Sequence, residues 1–358
     1  MLLKDKIAFI SHPNSNPHRM PFPKPHLESF ENPLRTQIAM AYLEREGVLD
    51  NTIKVKASKA KLEHALLVHS AYLVESVDLM SNIGVGQLGE ASYASPDLLR
   101  SALLSVGGAM QGTDMVLSGE VRHAFSLMRP PGHHATSSNP MGLCYFNNIA
   151  IAARHALNNQ KISRVSILDF DDHHGNGTSE IFYSNPNVQL ISIHEYDYEN
   201  FGLGHYAELG HGSAKGTNIN IPLLETSPNV SYETSIEKVI GPAIKRFNPD
   251  LILVSAGYDA HYADPVGNMD VDSRVFWRFG DFIRKIVDNV EAIGSIWVLE
   301  GGYNVFTLGP SILASLKGLM GENVPKLDDQ IEREEFQHII DANNEVVDKV
   351  LETVEPHW

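Results

Sequence analysis

The sequence of 358 residues has a single cysteine, Cys144, and little positive charge. One thiol can build neither a disulfide framework nor a thiolate metal cluster. Lys and Arg number 28 against 44 Asp and Glu, which gives a formal net charge of -16. We therefore expect no direct contact with nucleic acid, because neutralising phosphates needs clustered basic side chains. The same acidity could attract cationic substrates.

Long hydrophobic runs are also missing. No apolar stretch approaches the roughly 18 residues of a membrane span. The amino-terminal segment MLLKDKIAFISHPN is interrupted by Lys4, Asp5 and Lys6, which leaves a run too short for a secretory signal. The expectation is a cytoplasmic protein with no membrane contact and, from its 43% hydrophobic content, a large core.

Short apolar segments alternate with amphipathic ones. Nearly continuous apolar character indicates strands covered on both faces, predicted at 6–11, 164–170, 188–194, 250–257 and 294–302. Helical periodicity predicts helices at 32–47, 95–111, 231–247 and 273–290. Their expected signals are Asn32 and Ser95 as N-caps, Pro96 as a first helical residue and Gly47 as a stop. The charged tail from about 326 is predicted to be a helix facing solvent or another copy of the chain.

This alternation predicts one α/β domain over 1–358, a mostly parallel β-sheet sandwiched by helices. Ligands of such sheets bind outside the carboxyl ends of the strands. The polar segments LDFDDHHGNGT, SAGYDAH and LEGGYN each complete or follow a predicted strand. We therefore expect the site at the C-terminal strand ends.

The residue pattern in these segments indicates a metal site. Asp171 and His173 lie on the same side of an extended chain, so both can reach one small cation. Asp259 follows another strand and offers a third ligand of the kind that Zn²⁺ accepts. A hydrogen-bonded turn is the alternative for the first pair, and the second aspartate favours the metal.

Two further motifs contain residues suited to acid–base chemistry. RPPGHHA (129–135) places His133 and His134 behind a rigid turn, where paired imidazoles can act as general base and electrostatic partner. Tyr303 lies in a glycine-rich loop, where a phenol beside a metal can stabilise an oxyanion. An ordinary packed turn and a structural tyrosine are the alternatives.

Together these motifs resemble the zinc-dependent histone deacetylase superfamily, which includes acetylpolyamine amidohydrolases. The resemblance is carried, in family order from 129 to 304, by RPPGHHA, GLCYFNN, LDFDDHHGNGT, ISIHEY, SAGYDAH…DPVGNM and LEGGYN. HGNG and LEGGYN are more similar to the class II and bacterial branch. The resemblance implies an arginase/deacetylase-like fold and removal of an acetyl or related acyl group from an amine.

The resemblance also assigns roles to individual residues. Zinc would be held by Asp171, His173 and Asp259, although Fe²⁺ suits the same ligands. A structural K⁺ would be held by the side chains of Asp169 and Ser192 and the carbonyls of Asp171, His173 and Ile193. His134 would be the general base and acid, oriented by Asn176. His133, paired with Asp169, would be its electrostatic neighbour, and Tyr303 would polarise the scissile carbonyl.

Substrate contacts are implied at four positions. The carbonyl of Gly142 would accept the substrate amide N–H, and Leu143 stands where relatives usually have the first phenylalanine of the tunnel wall. Phe201 would be the second wall residue. Val266 occupies a rim position where an acid favours polyamines in some relatives. An acetyl-lysine peptide, an acetylpolyamine and a small acetylated metabolite all stay open as substrates, as does a homo-oligomer.

Other polar residues are expected to be structural. Asp172 is interpreted as a local hydrogen-bonding group, and Cys144 as a small buried hydrophobe. The same holds for the remaining histidines near the motifs: His174, His194, His205, His211 and His261. An arginase-like ureohydrolase would need a second metal and further aspartates, and the residues after His173 and Asp259 do not supply them. A non-catalytic binder of acetylated amines is the third hypothesis.

Overall fold

The structure is a computed structural model that describes residues 6–12, 17–20, 30–200 and 202–358. Its strands are β1 Ile7–Ser11, β2 Thr52–Lys56, β3 Gly86–Gly89, β4 Ser92–Ala94, β5 His123–Ser126, β6 Val165–Asp169, β7 Val188–Glu195, β8 Asn218–Leu223, β9 Leu251–Ala256 and β10 Ser295–Leu299. Its α-helices are α1 Leu34–Arg45, α2 Leu62–Ala65, α3 Ala71–Ile83, α4 Leu98–Leu117, α5 Asn148–Leu157, α6 Asn176–Phe182, α7 Asn229–Ser235, α8 Gly241–Phe247, α9 Ser273–Asn289, α10 Leu308–Leu319 and α11 Gln337–Val354.

Eight strands form one parallel sheet in the order β2-β1-β5-β10-β9-β6-β7-β8. The central strands β6, β9 and β10 are buried along their whole length, because helices cover both faces of the sheet. This confirms the predicted α/β fold. Since parallel strands end at the same edge, the segments that follow β6, β9 and β10 meet there.

All five predicted strands are present, and five others were not predicted. β5 has only four residues, and β3 and β4 form a separate short antiparallel pair. The two edge strands β2 (TIKVK) and β8 (NINIPL) contain polar residues or proline, so neither has a continuous apolar run. Edge strands tolerate proline because one side of the backbone is unpaired.

Two predicted helix details are wrong. Helix α4 begins at Leu98 with Asp97 as its N-cap, so Ser95 and Pro96 precede it. The Ser95 hydroxyl instead bonds to the buried ring of His18, at 2.7 Å from Nδ1. Helix α1 likewise begins at Leu34 rather than directly after Asn32, although the Asn32 side chain accepts a bond from the Leu34 N–H.

The predicted helical tail is shorter and more buried than expected. Helix α11 begins at Gln337, and residues 326–336 are not helical. Its apolar face packs against the main core through Val346, Val347, Val350 and Val354. Asn343 bonds to Ser227 and Ser231 from the same helix. Among the described helices, none is both long and apolar enough to cross a membrane.

Candidate metal centre and active site

Three side chains at the carboxyl edge of the sheet converge into a group that could hold a metal ion. Asp171 follows β6 by two residues, His173 lies two further on, and Asp259 follows β9. One ligand atom from each lies within 4.8 Å of the others. His173 Nδ1 is 3.2 Å from both Asp171 Oδ1 and Asp259 Oδ2. The carboxylates are buried and the imidazole is 39% exposed, so an incoming molecule meets the group from the histidine side.

Backbone N–H groups hold the outer oxygens of both carboxylates. Gly301 N donates to Asp171 Oδ2 at 2.8 Å, and Asp172 N donates to Asp259 Oδ1 at 3.0 Å. Glycine is required at 301, because a Cβ there would lie 2.1 Å from Asp259 Oδ2. Two buried carboxylates and an imidazole form a ligand set that fits a divalent metal. Partners that orient the ligands, as these N–H groups do, are characteristic of metal sites.

The two histidines of the RPPGHHA loop lie beside this group with opposite electrostatics. Burial opposes the charge of His133, but the Asp171 and Asp169 carboxylates outweigh it and raise its pKa to about 10. His133 Nδ1 is 3.1 Å from Asp169 Oδ2. Burial lowers the pKa of His134 to about 3, and the neighbouring His133 lowers it further. His134 is therefore neutral at neutral pH.

The amide of Asn176 orients His134. Its Oδ1 lies 2.6 Å from His134 Nδ1, and since an amide oxygen only accepts, the proton must be on Nδ1. The lone pair of His134 is then on Nε2. A neutral imidazole with a free Nε2 can accept a proton from a bound water.

Tyr303 is buried two residues after Gly301, whose N–H bonds to Asp171. It packs with Tyr93 and Leu143 in a small cluster that Val266 also contacts. The guanidinium of Arg35 lies 4.5 Å from the centre of the Tyr303 ring. Burial raises the pKa of the Tyr303 phenol well above its usual value, so its O–H stays protonated and can donate.

Gly142 is packed directly under His134. Its φ is +56°, and a Cβ would lie 2.4 Å from His134 Cδ2. Leu143 follows with φ +67° and is 4% exposed. The backbone of this turn bonds to the segment before β4, since Gly142 N donates to the Glu90 carbonyl at 2.9 Å. The structure thus places Leu143 and Val266 in contact with the cluster that contains Tyr303, and Gly142 directly before Leu143.

The added methyl of Gly142→Ala should displace His134. We expect the kcat of a reaction that uses His134 as its base to fall by about 10²-fold, because misplacing a reacting group by about 1 Å can cost that much. Gly119→Ala is the matched control, since Gly119 also has a positive φ, +74°, but has nothing within 4 Å of its Cβ position. Both variants should lose thermal stability through the positive φ, the first more because of its contact with His134, and only the first should lose turnover. Equal kcat values for the two variants would contradict this account.

Three buried charged side chains form an ion network next to Tyr303. Glu31 pairs with both Arg129 and Arg35, and all three side chains are at most 1% exposed. Burial opposes the charge on Glu31, but Arg129 outweighs it and lowers the pKa. Arg35 also donates to the carbonyls of Glu300 and Gly302, each at 2.7 Å. The network therefore fixes the backbone that leads into Tyr303.

Arg129→Met should lower the free energy of unfolding by about 3–5 kcal/mol, the usual cost of leaving a buried charge without one partner. The control is Arg45→Met, which breaks an exposed pair with Glu46 and should cost about 0–1 kcal/mol. Urea unfolding of the two variants measures the difference. Equal losses would mean that the buried network is not a major source of stability.

Sequence reasoning assigned no role to two carboxylates of the site, Glu300 and Asp264, although both fall in the quoted motifs. Glu300 Oε2 accepts the backbone N–H groups of Gly132 and His133, at 2.6 and 3.1 Å, and burial raises its pKa to about 8. It thereby holds the histidine loop. The sequence signal for Glu300 was the position of an acidic residue at the end of an apolar strand. Glu300, His133 and Cys144 form a second compact group.

Most of the remaining predicted residues are buried and bonded to their neighbours. Asp172 Oδ2 accepts from Asn268 N at 3.3 Å, and the rings of His174 and His194 are 4.7 Å apart. His261 is buried and bonds to Asp329, and Cys144 is fully buried. Ser192 pairs in register with Asp169 and bonds to His194 Nδ1, with Ile193 next in β7. Phe201 lies outside the described residues.

The eight-stranded parallel sheet and the Asp-His-Asp group at its carboxyl edge define an α/β protein with a metal-type site. The histone deacetylase domain matches residues 29–319, and the chain belongs to this family. A probable deacetylase of Methanothermobacter thermautotrophicus is 40% identical over 293 residues, covering 82% of this chain and 86% of that protein. The histone deacetylase-like amidohydrolase of Pseudomonas aeruginosa is 34% identical over 310 residues, covering 86% and 81%.

A solved structure agrees with this assignment. The crystal structure of the HDA15 HD domain superposes with a TM-score of 0.88 at 29% identity, covering 99% of this chain and 95% of that one. Other curated relatives are longer, and the chain spans 56%, 62% and 32% of the length of three of them.

Proposed function

We propose that the protein is a metal-dependent deacetylase that hydrolyses the amide bond of an acetylated amine. The observation that carries the proposal is the placement of a neutral His134, with a free Nε2, beside the Asp171, His173 and Asp259 group. Tyr303 closes the same site as a protonated phenol. Family membership supports the same chemistry. A binder without catalysis would not need a base and an oxyanion donor on either side of a metal group.

The protein side chains perform the proton transfers. His134 Nε2 takes a proton from the attacking water and later delivers one to the leaving amine. His133, held by Asp169, remains cationic and stabilises the negative charge that develops nearby. Tyr303 donates its O–H to the tetrahedral oxyanion, and donors of this kind are among the larger contributions to catalysis.

Asp171, His173 and Asp259 would hold Zn²⁺, which when bound polarises the carbonyl and lowers the pKa of water. Fe²⁺ suits the same donors. A structural K⁺ would lie near Asp169 and Ser192, with the carbonyls of Asp171, His173 and Ile193, and these oxygen donors are of the type that a hard cation prefers.

Acetyl-lysine peptides are the favoured substrates. The Tyr93, Leu143 and Tyr303 cluster with Val266 is apolar, and an apolar lining suits the aliphatic stem of lysine. An acetylpolyamine is the second candidate because the chain is strongly acidic, but apolar Val266 offers no charge to a distal ammonium. Phe201 as a wall residue, the cytoplasmic location and a homo-oligomer stay predictions from the sequence.

The test is turnover of a fluorogenic acetyl-lysine peptide, acetylated polyamines and longer acyl-lysine peptides, compared by kcat/KM. We expect acetyl-lysine hydrolysis that is lost on chelation and restored by Zn²⁺, with Fe²⁺ as a parallel arm. Failure of the metal-loaded protein to hydrolyse any of these amides would refute the proposal. A preference for polyamines would replace the substrate while keeping the chemistry.

A further inference from the structure

A buried carboxylate, Asp264, joins the loop of Tyr303 to the segment that contains Val266, the predicted rim residue. Its Oδ2 accepts the backbone N–H groups of Tyr303 and Asn304, at 2.6 and 3.0 Å. Its Oδ1 accepts the N–H of Val266 at 3.0 Å. Asp264 is 9% exposed, so solvent screens these bonds only weakly. Bonds from N–H groups to an ionised oxygen are roughly twice as strong as neutral ones.

A third bond connects the same two segments. The side chain of Asn304 donates to the carbonyl of Ala263 at 2.6 Å. Three bonds therefore join residues 263–264 to residues 303–304, and two of them go to the Asp264 carboxylate. The bonds that the Asp264 carboxylate accepts from Tyr303, Asn304 and Val266 all come from backbone N–H groups.

The tyrosine ring and the tyrosine backbone are held by different partners. The ring packs against Tyr93 and Leu143 with Arg35 over its face, while the Tyr303 N–H depends on Asp264. Val266, on the other oxygen of the same carboxylate, contacts the same cluster as the ring. A shift of Asp264 would therefore move the phenol and the rim together.

We propose that Asp264 is a positioning residue that sets the Tyr303 hydroxyl and the Val266 rim in a fixed relation to the metal group. The inference rests on the proposed function, because it takes Tyr303 as the oxyanion donor. Asp264 touches neither the substrate nor the metal in this scheme. Its effect on turnover passes through Tyr303, and its effect on substrate fit passes through Val266.

Asp264→Ala in the metal-loaded, full-length chain should lower kcat by about 10²-fold, the scale expected when a reacting group moves by about 1 Å. Its metal content should stay unchanged. Asp250→Ala is the matched control, since one Asp250 oxygen also accepts two consecutive backbone N–H groups, those of Ser163 and Arg164. Asp250 precedes β9, at the opposite edge of the sheet, so this variant should lose stability and keep kcat.

A double-mutant cycle with Tyr303→Phe separates a positioning role from a structural one. Mutations that act through one group are not additive, so Asp264→Ala should change kcat by less than about threefold once the phenol is gone. An equal loss in both backgrounds would overturn the inference and leave the proposed function intact. If Tyr303→Phe alone had no effect, the assignment of Tyr303 and this inference would both fail.

Asp264→Asn provides the second variant if the alanine protein does not fold. The asparagine side chain keeps one acceptor, its amide oxygen. If this oxygen faces Tyr303 and Asn304, two hydrogen bonds are preserved, whereas only one is preserved if it faces Val266. We therefore expect kcat within about threefold of the parent and a KM raised several-fold, because the lost bond is the one to the rim. A fall in kcat without a change in KM would contradict the assignment.

Discussion

Replacing Tyr303 by Phe is expected to lower kcat for acetyl-lysine hydrolysis by about 10²- to 10³-fold, the typical cost of losing one oxyanion donor. The ring of Tyr303 packs with Tyr93 and Leu143 and beneath Arg35. Phenylalanine preserves that packing, so the fold and the metal content should not change. Steady-state kinetics, metal analysis and thermal unfolding of the same preparation provide the measurement.

Tyr93→Phe is the control for this experiment. Tyr93 belongs to the same apolar cluster, but its hydroxyl donates to the carbonyl of Glu31 at 3.2 Å. Losing that hydroxyl should affect stability more than kcat. Near-normal turnover by the Tyr303 variant would remove the phenol from the mechanism.

Asp259→Asn should lower metal affinity by more than about 10²-fold, since losing even an outer partner of a ligand typically costs 10- to 100-fold. Turnover should fall in parallel and recover in part at high metal concentration. The amide retains the shape of the carboxylate, and Asp172 N can still donate to its oxygen. Binding is measured by competition with a chelator of known affinity.

Asp329→Asn is the comparison variant for Asp259. Asp329 is a similarly buried carboxylate that bonds to His261 and Ser273 outside the metal group, so its loss should leave metal affinity unchanged. Equal metal affinity in the Asp259 variant and the parent protein would exclude Asp259 as a ligand.

The fold class could be predicted from the sequence because the central strands are mostly apolar. The edge strands could not be predicted. In β8, Asn218, Asn220 and Pro222 interrupt the apolar pattern, and this segment is a strand because it pairs with β7. Helix α4 begins later than predicted because Ser95 is bonded to His18, a residue 77 positions away. Local capping preferences do not include such a partner.

The motifs predicted which side chains would meet at the candidate site, but not which residues would hold them in place. Asp171, His173 and Asp259 are brought together as expected, and so are His134 and Asn176. The roles of Asp264 and Glu300 depend on which backbone N–H groups their carboxylates meet, and these lie on other loops. The position of Glu300 at the end of an apolar strand indicates burial, but one sequence does not show which backbone N–H groups a buried carboxylate will meet.

The strand order has a consequence for how the protein reaches its active state. β6, β9 and β10 are neighbours in the centre of the sheet, yet Asp171, Asp259 and Gly301 are far apart along the chain. Parallel pairings of this kind form slowly because long loops must close first. The ion would therefore find its complete set of ligands only after the central sheet has assembled. Metal added during refolding should raise the yield and the melting temperature by mass action on the native state, with little acceleration of the first folding phase.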